Sequence, residues 1–202
     1  MRGSGSWPEV VMNYETLSIA DVRTNLASIA RDAESTFGQL NAQQLNWRPD
    51  ADRWSVAQCF EHLLTANRLM LEQAALALNG RAPRTVWQRL PVLPGLFGKA
   101  LIRSQAPTAT KKYKAPRLAQ PTASDVAPDV IQRFVDQHRD IVSRVEALDA
   151  QRAARAIMVS PFIRFITYSV LDGWRLIVAH NRRHVAQARR VTESSGFPRG
   201  ER

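Results

Sequence analysis

Four long segments of the chain repeat apolar residues at the spacing of an amphipathic helix, and this pattern constrains the fold more than any other feature. They run over about residues 18–37, 55–79, 128–148 and 169–191. No stretch shows the alternation of a half-buried strand with comparable strength. The sequence therefore predicts an all-α fold, a four-helix bundle with a long basic connection between the second and third long helices.

Residues at the segment ends are typical of helix boundaries. Ser18 with Asp21, and Ser55 with Gln58, each place an N-cap hydroxyl three residues before a side chain that can return the hydrogen bond. Asn79-Gly80 suits the end of the second helix. A further short helix is predicted within the long connection, near Leu96 to Ser104.

The length of 202 residues suits one domain with a long insertion. We expect residues 14–194 to form this domain and 81–127 its insertion. Residues 1–13 are expected to be a flexible, tag-like leader, and 195–202 a tail. The one cysteine, Cys59, excludes an internal disulfide and is interpreted as a small buried hydrophobe.

The sequence contains neither a membrane span nor a secretory signal by its pattern. A helical membrane span requires a run of about 18 or more apolar residues. No such run occurs in the sequence. The first ten residues lack the apolar core of a signal peptide. We therefore expect a cytoplasmic protein.

The net charge of +10 is concentrated in one segment. Between Gln73 and Ser124 there is no Asp or Glu. Trp87 and Tyr113 are interleaved with its basic residues, as a base-stacking surface would require. No nucleic-acid-binding motif accompanies them, so a solvated loop or a dimer contact is favoured and nucleic acid is not an expected partner. The basic residues of this segment are Arg81, Arg84, Arg89, Lys99, Arg103, Lys111, Lys112, Lys114 and Arg117.

Three of the four histidines are predicted to meet inside the bundle. His180 and His184 are four residues apart, which puts both on one helix face. His62 lies on the apolar stripe of the second helix. The inward stripe of the last helix also includes Gly173, which would let another helix or a ligand approach closely. The arginines of this helix are predicted to lie well away from the stripe; they are Arg182, Arg183, Arg189 and Arg190.

Such a convergence has two interpretations. A buried neutral imidazole needs partners at both ring nitrogens, and three of them in one apolar interior are hard to satisfy. A divalent metal ion would satisfy one nitrogen of each ring, and three neutral nitrogen ligands suit zinc or nickel with one position left open. Hydrogen-bonded core histidines are the alternative.

Four further residues near the predicted site or its helices are assigned roles other than primary metal ligand. His138 is a reserve ligand, although a boundary histidine touching solvent or a carboxylate is favoured. Glu61 is either an outer partner of the metal site or, as favoured, a surface salt-bridging acid. Gln187 either binds water at the metal or caps the polar pocket. Trp54 is interpreted as a hydrophobic staple before the second helix, without a catalytic role.

In three segments the chain resembles the DinB-like (YfiT-like) metalloenzyme superfamily. The family's W-R-P…W-S…HL stretch is similar to LNWRPDADRWSVAQCFEHLLTANRLM, and its H-x-R-R-H…Q final helix to SPFIRFITYSVLDGWRLIVAHNRRHVAQARRV. A basic, proline-containing connector found in many members resembles KKYKAPRLAQP. The resemblance covers about Ile19 to Val191.

The resemblance implies a four-helix bundle with a divalent metal held by His62, His180 and His184, and usually a homodimer. Members of known activity are mainly thiol-dependent S-transferases and isomerases, and others resemble metal-dependent hydrolases. A small-molecule substrate and, for transfer, a low-molecular-weight thiol are therefore expected, with arginines of the insertion receiving carboxylates. The alternative is a non-catalytic stress-response protein that holds a metal or small ligand. The long insertion departs from the shorter members and leaves the substrate open.

Overall fold

The computed structural model describes residues 12–83, 92–110, 114–122 and 125–199. Trp87 and Tyr113, the aromatic pair of the predicted stacking surface, lie outside these residues, as does most of the predicted leader. Within the described ranges, no helix has both the length and the apolar character to cross a membrane. The α-helices there are α1 (Ile19–Phe37), α2 (Ala42–Asn46), α3 (Val56–Leu78), α4 (Leu93–Gln105), α5 (Val130–Glu146), α6 (Ala150–Arg155) and α7 (Val170–Thr192).

The capping residues start α1 and α3 where the sequence predicts. The Asp21 N–H donates to Ser18 Oγ over 3.1 Å, and the Asp21 carboxylate accepts from the Ser18 N–H over 2.9 Å. Ser55 and Gln58 form the same reciprocal pair at the start of α3. Each such cap stabilises a helix by about 1 kcal/mol. At the other end of α3, Gly80 adopts a left-handed φ of 68° that ends the helix.

The predicted four-helix bundle is confirmed, and α1, α3, α5 and α7 form it. Helix α1 packs against α5 and α7, and α3 packs against the same two helices. Aromatic rings fill the centre: Phe60 meets Phe37 and Phe134 edge to face, with centroids 5.3 and 4.8 Å apart. This packing brings α3 into direct contact with α7.

A short antiparallel hairpin precedes α7 and was not predicted. Strands β1 (Ile157–Val159) and β2 (Thr167–Ser169) pair with Met158 opposite Tyr168. Three residues are too few for a strand alternation to stand out in sequence. Gly173 allows a close approach, as predicted, but the group that approaches is Met158 of the hairpin, whose Sδ would lie 2.7 Å from an added Cβ.

Part of the long connection is helical and docks on the bundle. Helix α4 contains the predicted short helix and lies against α7 and β2. The backbone of its Gly98 lies close to the Asp172 side chain. A Cβ atom added at Gly98 would come within 2.7 Å of that carboxylate, so a larger residue would not fit without a shift. Its C-terminal end is held by the Arg183 guanidinium, which donates to the Ser104 carbonyl over 2.8 Å. An exposed ion pair between Arg103 and Glu15 adds a third contact.

Candidate metal centre

The structure brings His62, His180 and His184 together. His62 lies in the second turn of α3, and the other two lie one turn apart on α7. The ring centroid of His62 is 5.1 Å from that of His180 and 4.6 Å from that of His184, and the last two are 4.6 Å apart. One nitrogen from each ring lies within 4.8 Å of the others.

The orientation of His62 is fixed by a backbone group. Its Nδ1 lies 2.5 Å from the carbonyl oxygen of Ala119, so Nδ1 carries the proton and donates it. Its Nε2 then presents a lone pair toward His180 Nε2, 3.2 Å away. Two nitrogens bound at about 2.0–2.1 Å to one tetrahedral ion are about 3.3 Å apart. The observed separation is compatible with two ligands of one ion, and it is also that of a hydrogen bond donated by the His180 Nε2–H to His62 Nε2.

The third ring supplies an unsatisfied nitrogen. His184 Nδ1 is buried and has no hydrogen-bond partner among the described residues, a situation that costs about 1–3 kcal/mol when nothing compensates it. Gln187, one turn further along α7, interacts with His184 through a side-chain hydrogen bond that partly opposes the lowering of the pKa of His184 by burial. The residues present thus fit a divalent metal ion.

The electrostatics keep the three rings neutral, as metal ligands must be. Burial lowers the pKa of His62. Burial, followed by the charges of the neighbouring rings and of Arg183, lowers the pKa of His180 well below its usual range. Burial is also the main reason that the pKa of His184 falls to about 3.

Trp54 forms one wall of the histidine cluster. Its ring is stacked on His184 with centroids 5.8 Å apart and an interplanar angle of 24°, and its centroid is 5.0 Å from that of His62. The interpretation of Trp54 as a helix staple missed this role. The residue before an N-cap can pack along its own helix or across to another element, and sequence alone gives no choice between them.

Glu61 and Gln58 hold the segment that supplies the Ala119 carbonyl. The Glu61 carboxylate accepts from the Thr122 N–H over 2.7 Å, and Gln58 Nε2 donates to the Thr122 carbonyl over 2.9 Å. Glu61 therefore holds a backbone segment, and it forms the predicted surface salt bridge with none of the described residues. Ala119 itself was missed, since a backbone carbonyl has no signature in the sequence.

His138 lies apart from the other three histidines and corrects a prediction. It is completely buried instead of lying at a boundary with solvent or a carboxylate. Its Nδ1–H donates to the Phe134 carbonyl over 3.0 Å, and its Nε2 accepts from Asn181 Nδ2 over 3.2 Å. Burial lowers its pKa to about 4. Because both nitrogens are engaged within the protein, His138 is not available as a reserve ligand.

The three histidines line a cavity of about 1080 Å³. Arg183 and Arg190 also line it, so the prediction that these arginines lie well away from the histidine stripe is wrong. Their long side chains reach the cavity from the edge of that stripe. Cys59 is completely buried, and burial raises its pKa to about 12, which agrees with its interpretation as a small core residue.

Comparison with known proteins places the chain in a family. The sequence model of the DinB superfamily matches residues 25–188. No curated protein matches the chain in sequence. Among solved structures the chain is similar to YfiT from Bacillus subtilis, described as a probable metal-dependent hydrolase with an unusual four-helix bundle topology. The match has a TM-score of 0.62 and 14% identity, and covers 93% of this chain and 94% of YfiT. At that identity the likeness concerns the fold, while the family match covers most of the sequence: the chain belongs to the DinB superfamily.

Proposed function

We propose that the protein is a divalent-metal-dependent enzyme, in the first place a hydrolase, whose metal is held by His62, His180 and His184. The observation that carries this proposal is the pairing of two facing Nε2 atoms, 3.2 Å apart, with a buried His184 nitrogen that has no partner among the described residues. Zinc or nickel suits this donor set. The description of YfiT as a probable metal-dependent hydrolase supports the same class.

The chain's own residues prepare the site for this ion. The Ala119 carbonyl holds the proton on His62 Nδ1 and so keeps the Nε2 lone pair directed at the other rings. Glu61 fixes that carbonyl through Thr122. Trp54 covers one side of two rings and excludes water there. The ion, when bound, would supply Lewis acidity that lowers the pKa of a water or a thiol toward neutrality.

Transfer from a low-molecular-weight thiol is the second candidate function, and the size of the cavity favours it. A volume of about 1080 Å³ is at the upper end of ordinary ligand sites. It has space for a thiol beside the molecule that the thiol attacks. Within this proposal the protein acts as a cytoplasmic homodimer, which the family resemblance supports and which light scattering of the purified protein tests.

Metal content is the first test. Protein purified without immobilised metal and then exposed to zinc or nickel is expected to hold one equivalent after dialysis, measured by elemental analysis. A His180→Ala variant is expected to lose it. The matched control is His138→Gln, which removes another buried imidazole and is expected to keep the metal. Equal metal content in wild type and His180→Ala would contradict the proposed site.

Turnover is the second test. Metal-loaded protein is assayed with activated esters and amides, and with electrophiles in the presence of bacillithiol, mycothiol or glutathione. Hydrolysis that disappears in His180→Ala supports the first function, and activity that requires a thiol supports the second. A fully loaded protein without turnover on either panel would favour the non-catalytic alternative, in which the metal or a small ligand is only held.

A further inference from the structure

The α7 wall of the cavity changes from apolar to cationic along its length. Leu176, Arg183 and Arg190 are seven residues apart, so they lie on one stripe of the helix, and all three line the cavity. His180 and His184 lie on the adjoining stripe, between the two ends. At 1.5 Å per residue, Arg183 lies about 10 Å from Leu176 along the helix axis and Arg190 about 21 Å. Helix side chains lean toward the N-terminus, so the long Arg190 side chain extends back toward Arg183.

The hairpin that precedes α7 completes the apolar end. Phe162, Ile163 and Ile166, from the turn between β1 and β2, line the cavity beside Leu176. Leu101 of α4 lies on the same lining. Ile163 remains 37% exposed although it is a large apolar side chain. These residues form an apolar surface against which a hydrocarbon or aromatic group can be buried.

The cationic end carries an excess of positive charge. Arg183 and Arg190 are close enough to the centre that, after burial, their charges help to lower the pKa of His184. Asp52 is the one carboxylate among the described residues that line the cavity. A divalent ion at the histidines would add to the imbalance, and an anion would relieve it. The cations of the lining are Arg48, Arg53, Lys114, Arg183 and Arg190.

We infer that the cavity binds an elongated amphipathic anion, with its apolar body against the hairpin turn and its oxyanion head at Arg183 and Arg190. Guanidinium groups bind carboxylates and phosphates through paired hydrogen bonds, so either head fits. The inference rests on the proposed function in one respect: the bond to be attacked would lie midway along the ligand, beside the three histidines. Binding itself depends on the apolar surface and the arginines.

Calorimetric titration of the metal-loaded protein with four probes tests the inference. Octanoate and octyl phosphate are expected to bind, and the tighter of the two identifies the preferred head. Octan-1-ol keeps the body without the charge and is expected to bind at least about tenfold more weakly. Butanoate keeps the charge with half the body and is expected to be weaker than octanoate by about tenfold or more. Equal affinity for octanoate and octan-1-ol would overturn the inference.

Two neighbouring arginines give a matched pair of variants. Arg190→Gln is expected to weaken octanoate by about tenfold and leave octan-1-ol unchanged. Arg189→Gln is the control, because Arg189 donates to Thr36 Oγ1 on α1 and does not line the cavity. Arg190→Lys, which keeps the charge, is expected to recover part of the affinity. An equal loss in Arg189→Gln would attribute the effect to overall charge and contradict the site.

Titrating the metal-stripped protein separates this inference from the proposed function. Octanoate is expected to bind there too, with the same sensitivity to Arg190→Gln. If binding instead disappears with the metal and ignores that substitution, the carboxylate sits on the ion, and the inference fails while the metal site stands. If His180→Ala holds as much metal as wild type but octanoate still depends on Arg190, the proposed site fails and the inference stands.

Discussion

The single histidine His138 and the cluster of three histidines both face the interior of this bundle, but they differ in how their ring nitrogens are satisfied. His138 donates to the Phe134 carbonyl and accepts from Asn181, so both nitrogens have protein partners. In the cluster of His62, His180 and His184, two Nε2 atoms face each other and one Nδ1 has no partner among the described residues. His138 and His62 are buried, whereas His180 and His184 are partly exposed, and burial lowers the pKa in both groups.

Hydrogen-bond partners, and not position on the helix, distinguish a structural histidine from a candidate metal ligand in this bundle. Helix periodicity directs both kinds of ring inward. What separates them is the count of hydrogen-bond partners, since a neutral imidazole offers one donor and one acceptor. His138 has a complete set and needs nothing from outside the chain. In the cluster, His184 Nδ1 has no partner among the described residues, and a cation would bind one nitrogen of each of the three rings.

The largest expected difference between the two groups is the effect of metal on stability. Zinc or nickel at about a thousand times its dissociation constant should raise the free energy of unfolding of the wild type by about 4 kcal/mol. For a chain of this size that is a rise in Tm of about 10 °C. His138→Gln should keep this increment and His180→Ala should lose it. Thermal denaturation with and without metal measures this rise in Tm. An equal rise in both variants would mean that His180 contributes no more to metal binding than His138 does.

The next difference concerns the metal-free protein and a matched pair of leucine substitutions. His138→Leu should lower the free energy of unfolding by about 2 kcal/mol, because it leaves Asn181 Nδ2 without its partner in the core, whereas the Phe134 carbonyl keeps its helical hydrogen bond. His184→Leu should cost less than about 1 kcal/mol, since it removes a nitrogen that already lacks a partner. Urea denaturation of both variants in the presence of a chelator gives the comparison. Equal losses would mean that the cluster is as well satisfied without metal as His138 is.

A smaller difference appears as pH falls. An unfolded histidine takes up a proton near pH 6.5, whereas buried His138 does so only at about pH 4. The unfolded state therefore binds more protons between these values, and stability falls as pH decreases through that window. From pH 7 to pH 5 the wild type should lose about 2 kcal/mol more than His138→Gln, both in metal-free form. Parallel losses in the two proteins would contradict the assigned burial.

Local signals in the sequence were enough for the fold and for the direction of the histidines. Helix starts at Ser18 and Ser55 depend on residues three positions apart, and the inward direction of His180 depends on a period of one turn. Both are properties of a single helix, so the chain around each residue determines them. The bundle follows because each of the four long helices has one apolar stripe to bury.

Properties that depend on a second element could not be predicted in this way. The depth of His138 depends on Asn181 of α7, and the reach of Arg190 into the cavity depends on the shape of that cavity. The position of Trp54 depends on the rings of His62 on α3 and His184 on α7. The Ala119 carbonyl came as the clearest omission, because its role is created by the docking of residues 114–122 on α3.

The smallest expected effect tests whether that docking matters to the centre. Glu61→Gln keeps the size of the side chain but weakens the bond from the Thr122 N–H, which should loosen the Ala119 carbonyl and the orientation of His62. Loss of an outer partner of this kind typically lowers metal affinity by about 10- to 100-fold, and we expect the lower end because Gln58 also holds Thr122. Competition with a metal-binding dye measures the change.

Glu72→Gln is the control for this last effect, since Glu72 lies on the same helix, is half exposed and pairs with Arg68 in water. Surface pairs of this type contribute about 0–1 kcal/mol, so neither stability nor metal affinity should change appreciably. A tenfold loss of metal affinity in Glu61→Gln, but not in Glu72→Gln, would show that residues around the three histidines also contribute to metal binding. The cluster would then depend on a bound metal and on the position of the Ala119 carbonyl, whereas His138 depends only on Phe134 and Asn181. Identical affinities for Glu61→Gln and wild type would restrict the centre to its three rings.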